Sequence, residues 1–192
     1  MYSNFERGME GCENIQFYDT LSGYFKESYF EYDLLSISDR ILKAVCYIYK
    51  EKENKNINFD KELCSYFYYW LGDKIYSLVN DRKEFLRIIN TIYEELNENN
   101  PKEFNVCDDY ISLIDKDTFN KNKLLFDYSK DYEKIELDTV YPNTCNEDYK
   151  NYIDKYISAY NEEYSNCYNR ERKYGKLAQK FTKIQKQLKL LL

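Results

Sequence analysis

Histidine is absent from this chain of 192 residues. That removes the commonest general base, the usual imidazole zinc ligand and every triad built on a histidine. Glycine (5) and proline (2) are scarce, which disfavours a turn-rich β-sandwich and leaves helices as the simplest repeating structure. There is no CxxC pair, no GxGxxG, no phosphate-binding GxxxxGK[ST] and no EF-hand loop. Carboxylate neighbours such as Asp108 and Asp109 read as a solvated face in a sequence that is 32% charged, because the partners a catalytic site requires are missing. The expectation is a protein that is not an enzyme, with no cofactor and no metal. No run of about 18 apolar residues is present, and MYSNFERGMEGC lacks the apolar stretch of a signal peptide, so no membrane anchor is read in this chain.

Aromatic residues are abundant instead: 23 Tyr, 11 Phe and a single Trp. Tyrosine carries a hydroxyl that needs a partner when buried, so an aromatic and partly polar core is expected. The length suits one domain with a real core. A net charge of −6 argues against a nucleic-acid partner, since phosphate contacts need a basic surface. The charge is uneven: Arg170 to Leu192 holds eight basic residues and one acid, leaving the rest of the chain at −13.

The patch from Phe17 to Leu35 is aromatic but weakened as a helix by Gly23 and scattered Ser. A capping box at Ser36 and Asp39 opens a clearer helix, with Ile41, Leu42, Val45, Ile48 and Tyr49 on one face. The most organised stretch is LCSYFYYWLGDKIYSLV, in a helix expected from about Phe59 to Val79. Leu63, Phe67, Trp70, Leu71, Ile75, Leu78 and Val79 there follow the three-and-four spacing of a buried face, with Tyr69 completing its aromatic signature.

Asp81 with Glu84 caps the next helix, which carries Phe85, Ile88, Ile89, Ile92 and Leu96 and lies antiparallel to its predecessor. Two weaker helices follow, around Val106 to Ile114 and around Phe119 to Tyr132, with a break at Lys116 and Asp117. Thr144 with Glu147 opens a helix bearing a tyrosine stripe: Tyr149, Tyr152, Tyr156, Tyr160 and Tyr164. The stripe reads either as core-edge packing or as a protein-recognition surface. After Gly175, the spacing of Tyr174, Leu177, Phe181, Ile184, Leu188 and Leu191 predicts a last helix. Its lysines make it a candidate for weak association with an anionic membrane surface, against the alternative of packing its apolar stripe on the bundle.

Six cysteines, Cys12, Cys46, Cys64, Cys107, Cys145 and Cys167, are widely spaced and suit long-range disulfides in an oxidising compartment. Reduced buried thiols are the alternative. If Cys145 and Cys167 sit at opposite ends of one helix they lie about 33 Å apart, whereas bridged Cα atoms lie within about 7 Å. The expectation is therefore three intramolecular disulfides, with Cys145 and Cys167 bonded to different partners.

The segment Cys64 to Ile75, with Tyr68, Tyr69, Trp70 and Leu71, together with the later Tyr-rich helix ending in NCYN, resembles the ectodomain of the Plasmodium interspersed repeat family, the Vir proteins. The order of Cys12, Cys64, Cys107, Cys145 and Cys167 fits the same scheme. The resemblance covers roughly Phe17 to Cys167, and the expected organisation is an all-α, disulfide-stapled multi-helix bundle over residues 1–169 followed by a basic amphipathic helix over 170–192, either a continuation of the domain or a membrane-proximal segment. The resemblance implies a variant antigen exported to the infected red cell or its surface, acting in antigenic variation, immune evasion and adhesion to a host protein ligand. Family members follow the ectodomain with a membrane-spanning helix that is not seen in this chain. A soluble intracellular interaction scaffold is the alternative, and the state of the thiols discriminates the two.

Overall fold

The computed structural model describes residues 1–27, 33–55, 58–102, 105–108, 113–140 and 147–174, with the backbone alone over 136–140 and 167–174. The fold is all-α, with seven helices and no strand among the described residues. Contacts divide the chain into two compact units, Met1–Phe119 and Asn120–Leu192.

In the first unit the helices are α1 (Tyr2–Arg7), α2 (Gln16–Glu27), α3 (Leu35–Lys55), α4 (Glu62–Tyr76) and α5 (Arg82–Glu98). The apolar spacing read from the sequence is the spacing that becomes buried. On α3 the inward residues are Ile37, Ile41, Leu42, Ala44, Val45, Cys46, Ile48 and Tyr49; on α5 they are Phe85, Ile88, Ile89, Ile92, Tyr93 and Leu96. Tyr76 at the end of α4 stacks on Phe85 at the start of α5, while Phe67 meets Tyr93 further along, so the two helices run antiparallel. Asp81 caps α5 as expected: its carboxylate accepts from the backbone N–H groups of Lys83 and Glu84 at 2.8 and 2.9 Å. Those bonds hold the Asp81 carboxyl below the usual range, that from Glu84 most of all.

Three local expectations are corrected. Ser36 lies inside the first turn of α3 and donates its hydroxyl to the Asp33 carbonyl, so it is not the cap; Asp39 pairs with Lys43 one turn on. Gly23 does not interrupt α2, because Phe17, Leu21 and Phe25 bury one continuous face around it. Lys116 and Asp117 begin α6 (Lys116–Val140) instead of separating two helices. Asp115 explains the start: its carboxylate accepts from the Thr118 N–H at 2.8 Å, an N-cap one residue earlier. The described residues 105–108 and 113–115 are not helical, where a weak helix from Val106 to Ile114 was expected.

In the second unit α6 continues from Asn120 and is followed by α7 (Glu147–Tyr174). Tyr128, Ile135 and Tyr156 form the buried seam, with Leu124, Tyr132 and Ile153 packed against it. The helix α7 passes through residues 169 and 170 without a break. The cap at Thr144, the hinge at Gly175 and the remainder of the basic tail lie outside the described residues.

Candidate functional site

The segment Leu63–Ile75 sits at the centre of the first unit. Leu63, Phe67, Trp70, Leu71 and Ile75 are buried and Tyr69 is half-buried, because α4 is packed on more than one side. On one side Phe5 of α1 is fully buried among Tyr47, Phe67 and Trp70, with ring centroids 5.4, 5.5 and 5.9 Å away. Such spacings suit tilted and edge-on aromatic contact. The Trp70 indole N–H donates to the Glu6 carboxylate at 3.1 Å, and Lys74 pairs with the same carboxylate. Glu6 is held below the usual carboxylate range, chiefly by its hydrogen bond from Lys74 and also by that from Trp70. The Lys74 ammonium also lies 5.7 Å from the Trp70 ring centroid.

On the other side of α4, Phe119 packs against Tyr68, Tyr69, Tyr76 and Phe85. Gly72 makes room for it, since a Cβ at that position would stand 2.4 Å from two Phe119 ring carbons. The Tyr76 hydroxyl donates to the Ile114 carbonyl at 2.6 Å. Burial raises the Tyr68 hydroxyl well above its ordinary pKa, so it is neutral at physiological pH.

Two disulfides clamp this arrangement. Cys12–Cys46 joins the segment after α1 to α3, with Cα atoms 5.7 Å apart, and Cys64–Cys107 joins the start of α4 to the 105–108 segment, with Cα atoms 5.6 Å apart. Asn97 brackets that segment further: its side-chain carbonyl accepts from the Val106 and Cys107 N–H groups, and its amide donates to the Cys107 carbonyl. Because Cys12, Cys46, Cys64 and Cys107 satisfy one another, the expectation that Cys145 and Cys167 each bond to one of them is corrected. Cys145 and the Cys167 side chain lie outside the described residues.

The tyrosine stripe of α7 is partly interior. Tyr156 and Tyr160 are buried, Tyr149 and Tyr164 half-buried, and Tyr152 is 40% exposed. Tyr156 lies 5.0 Å from Tyr128 by ring centroids and donates its hydroxyl to that of Tyr152, which donates to Asp131 at 3.3 Å. Burial pushes the Tyr128 hydroxyl up to about 12. Lys121 pairs with Glu162 and Glu163 at 2.6 and 2.9 Å.

Asp108, half of the acid pair seen in the sequence, lies 3.7 Å from Lys61 in an exposed ion pair, while Asp109 is outside the described residues. Among the described residues no cluster of His, Cys, Asp or Glu is placed to hold a metal, and no helix is long and apolar enough to cross a membrane. The residues that sequence reasoning missed are Phe5, Glu6, Gly72, Asn97 and Phe119. Phe5 is a lone apolar residue in a polar stretch and Asn97 lies in a polar run, NENN, so neither carries a periodic signal.

These features define a disulfide-stapled, all-helical module whose centre is built from aromatic packing. The family model described as Plasmodium vivax Vir protein matches residues 1–191, and the chain belongs to that family of variant antigens. No curated protein and no solved structure matches the chain.

Proposed function

We propose that this chain is a variant antigen exported to the infected red cell or its surface, where it acts in antigenic variation and immune evasion and adheres to a host protein ligand. The observation that carries this reading is the family match over residues 1–191. The division of labour within the helices supports it. On α5 the residues Phe85, Ile88, Ile89, Ile92, Tyr93 and Leu96 are buried, whereas Lys83, Arg87, Glu94 and Glu98 are exposed. Exposed substitutions away from caps and special contacts alter stability by only about 0.5 kcal/mol. A framework of this kind lets the surface seen by antibodies change while the fold persists. Disulfides at Cys12–Cys46 and Cys64–Cys107 suit passage through an oxidising compartment. The basic segment from Arg170 onward supplies a weak, salt-sensitive affinity for anionic membrane surfaces.

Antibody raised against the folded protein tests the reading on intact infected red cells. Staining without permeabilisation, removed by external protease, is the expected result. Staining only after permeabilisation, with all six cysteines alkylatable in unreduced parasite material, would instead indicate an intracellular scaffold. Salt-sensitive binding to phosphatidylserine vesicles checks the tail.

A further inference from the structure

The helix α1 has six residues, far below the length at which a helix is stable by itself in water. Its hold on the first unit therefore comes from tertiary contacts with α3 and α4, among them the edge-on contact of Tyr2 with Tyr66 at 5.5 Å. Phe5 fills the space between Tyr47 of α3 and Phe67 and Trp70 of α4, and Glu6 takes the Trp70 N–H and the Lys74 ammonium. Asn4 donates to the Tyr47 hydroxyl at 3.2 Å, and the Met9 N–H donates to the Lys43 carbonyl at 2.9 Å. Between the helix and Cys12 lie Gly8 and Gly11, at φ of 61° and 93°. Glycine has the largest backbone freedom to regain when a segment comes loose. The Gly8 position is also crowded, since a Cβ there would stand 2.4 Å from the Lys43 Cβ. The Cys12–Cys46 bond therefore sits where it opposes the release of an element that is weak in its own right, by keeping α1 at high local concentration over its seat.

We propose that Cys12–Cys46 is a redox latch on α1: the disulfide keeps α1 seated over Trp70 between α3 and α4, and the dithiol form lets α1 leave and opens that aromatic groove. The exchange needs a thiol reductant. The thiolate of a dithiol attacks one sulfur, the S–S bond breaks and a mixed disulfide forms. The second thiol of the reductant then displaces the protein sulfur, so the reductant departs as a cyclic disulfide. Two electrons and two protons pass to the protein, leaving Cys12 and Cys46 as thiols. Both cysteines are fully buried, whereas Cys64 is half-buried. Attack requires access to sulfur, so Cys64–Cys107 is reduced first, and the latch opens only after the 8–12 segment has lifted.

Trp70, the sole tryptophan, reports the seat directly. The oxidised full chain is treated with dithiothreitol, with alkylation and peptide mapping at intervals, while Trp70 emission and amide exchange are followed. Loss of Cys64–Cys107 leaves the emission in place. Loss of Cys12–Cys46 shifts it to the red and raises exchange of residues 2–7 by about tenfold or more, while α5 amides keep their protection. Cys12→Ala with Cys46→Ala gives the open state without reductant. The latch is overturned if Trp70 responds to Cys64–Cys107 instead, if α1 stays protected in the double variant, or if α5 loses protection together with α1, which would make the bond a staple of the whole unit.

Discussion

The two compact units use the same residue types to different ends. In Met1–Phe119, aromatic rings fill an interior: Phe5, Phe17, Phe25, Phe67, Phe85 and Phe119 are all fully buried, and two disulfides hold the elements around them. In Asn120–Leu192 the described helices form a seam in which tyrosine replaces phenylalanine, and the Tyr156 hydroxyl is linked through that of Tyr152 to the Asp131 carboxylate. A multi-helix bundle surrounds its central rings on all sides. A pair of helices offers one line of contact, so rings along it need an edge that tolerates solvent, which the amphipathic tyrosine side chain provides.

Truncating one central ring in each unit tests that difference. Trp70→Ala is expected to have the largest effect, about 3–5 kcal/mol in urea unfolding, because Phe5, Phe67 and the Glu6 carboxylate each lose one of their partners and a cavity opens between them. A loss under about 1 kcal/mol would mean that the ring is not part of a closed interior. Gly72→Ala should follow at about 1–3 kcal/mol, since the new Cβ meets the Phe119 ring at 2.4 Å and Phe85 at 3.3 Å. Thermal unfolding with no shift would show that Phe119 moves aside freely. Tyr156→Ala should cost about 1–2 kcal/mol, below the usual range for a large-to-small core change, because water can enter beside exposed Tyr152. Its loss of amide protection should be confined to α6 and α7; equal loss in α4 and α5 would break the contrast between the units.

The smallest effect concerns acid. Asp81 and Asp115 are held below the ordinary carboxylate range by the backbone N–H groups of Glu84 and Thr118, and Glu6 by Lys74. A depressed folded-state pKa stabilises above the unfolded value, near 4, and that contribution disappears as pH falls through the lower folded values. The melting temperature should therefore be level near neutrality and fall below about pH 4–5. Asp81→Ala should lower the neutral-pH value slightly and flatten the acid slope. An unchanged slope would remove Asp81 from the acid-sensitive set.

Much of the first unit was legible because helix periodicity, capping and burial agree there. The spacing of Leu63, Phe67, Trp70, Leu71 and Ile75 marks a buried face whatever packs on it, and Asp81 followed by Glu84 marks a helix start through local hydrogen bonds. Where the signals disagreed, the local one misled. Ser36 looked like a cap but lies within α3, and the polar pair Lys116 and Asp117 looked like a break although Asp115 caps the helix that they begin. The Phe5 seat was illegible, since α1 shows one buried residue in six and no repeat can be seen in so short a segment.

By itself, the sequence determined the all-helical class, the buried face of α4 and α5, and the absence of imidazole chemistry, because these depend on residue type and spacing along one helix. Which cysteines pair, what covers Trp70 and why position 72 is glycine were decided only in three dimensions. Cys12–Cys46, Cys64–Cys107, the Phe5 seat and the Gly72 contact with Phe119 each join residues 34 or more positions apart, and no local propensity encodes such a distance.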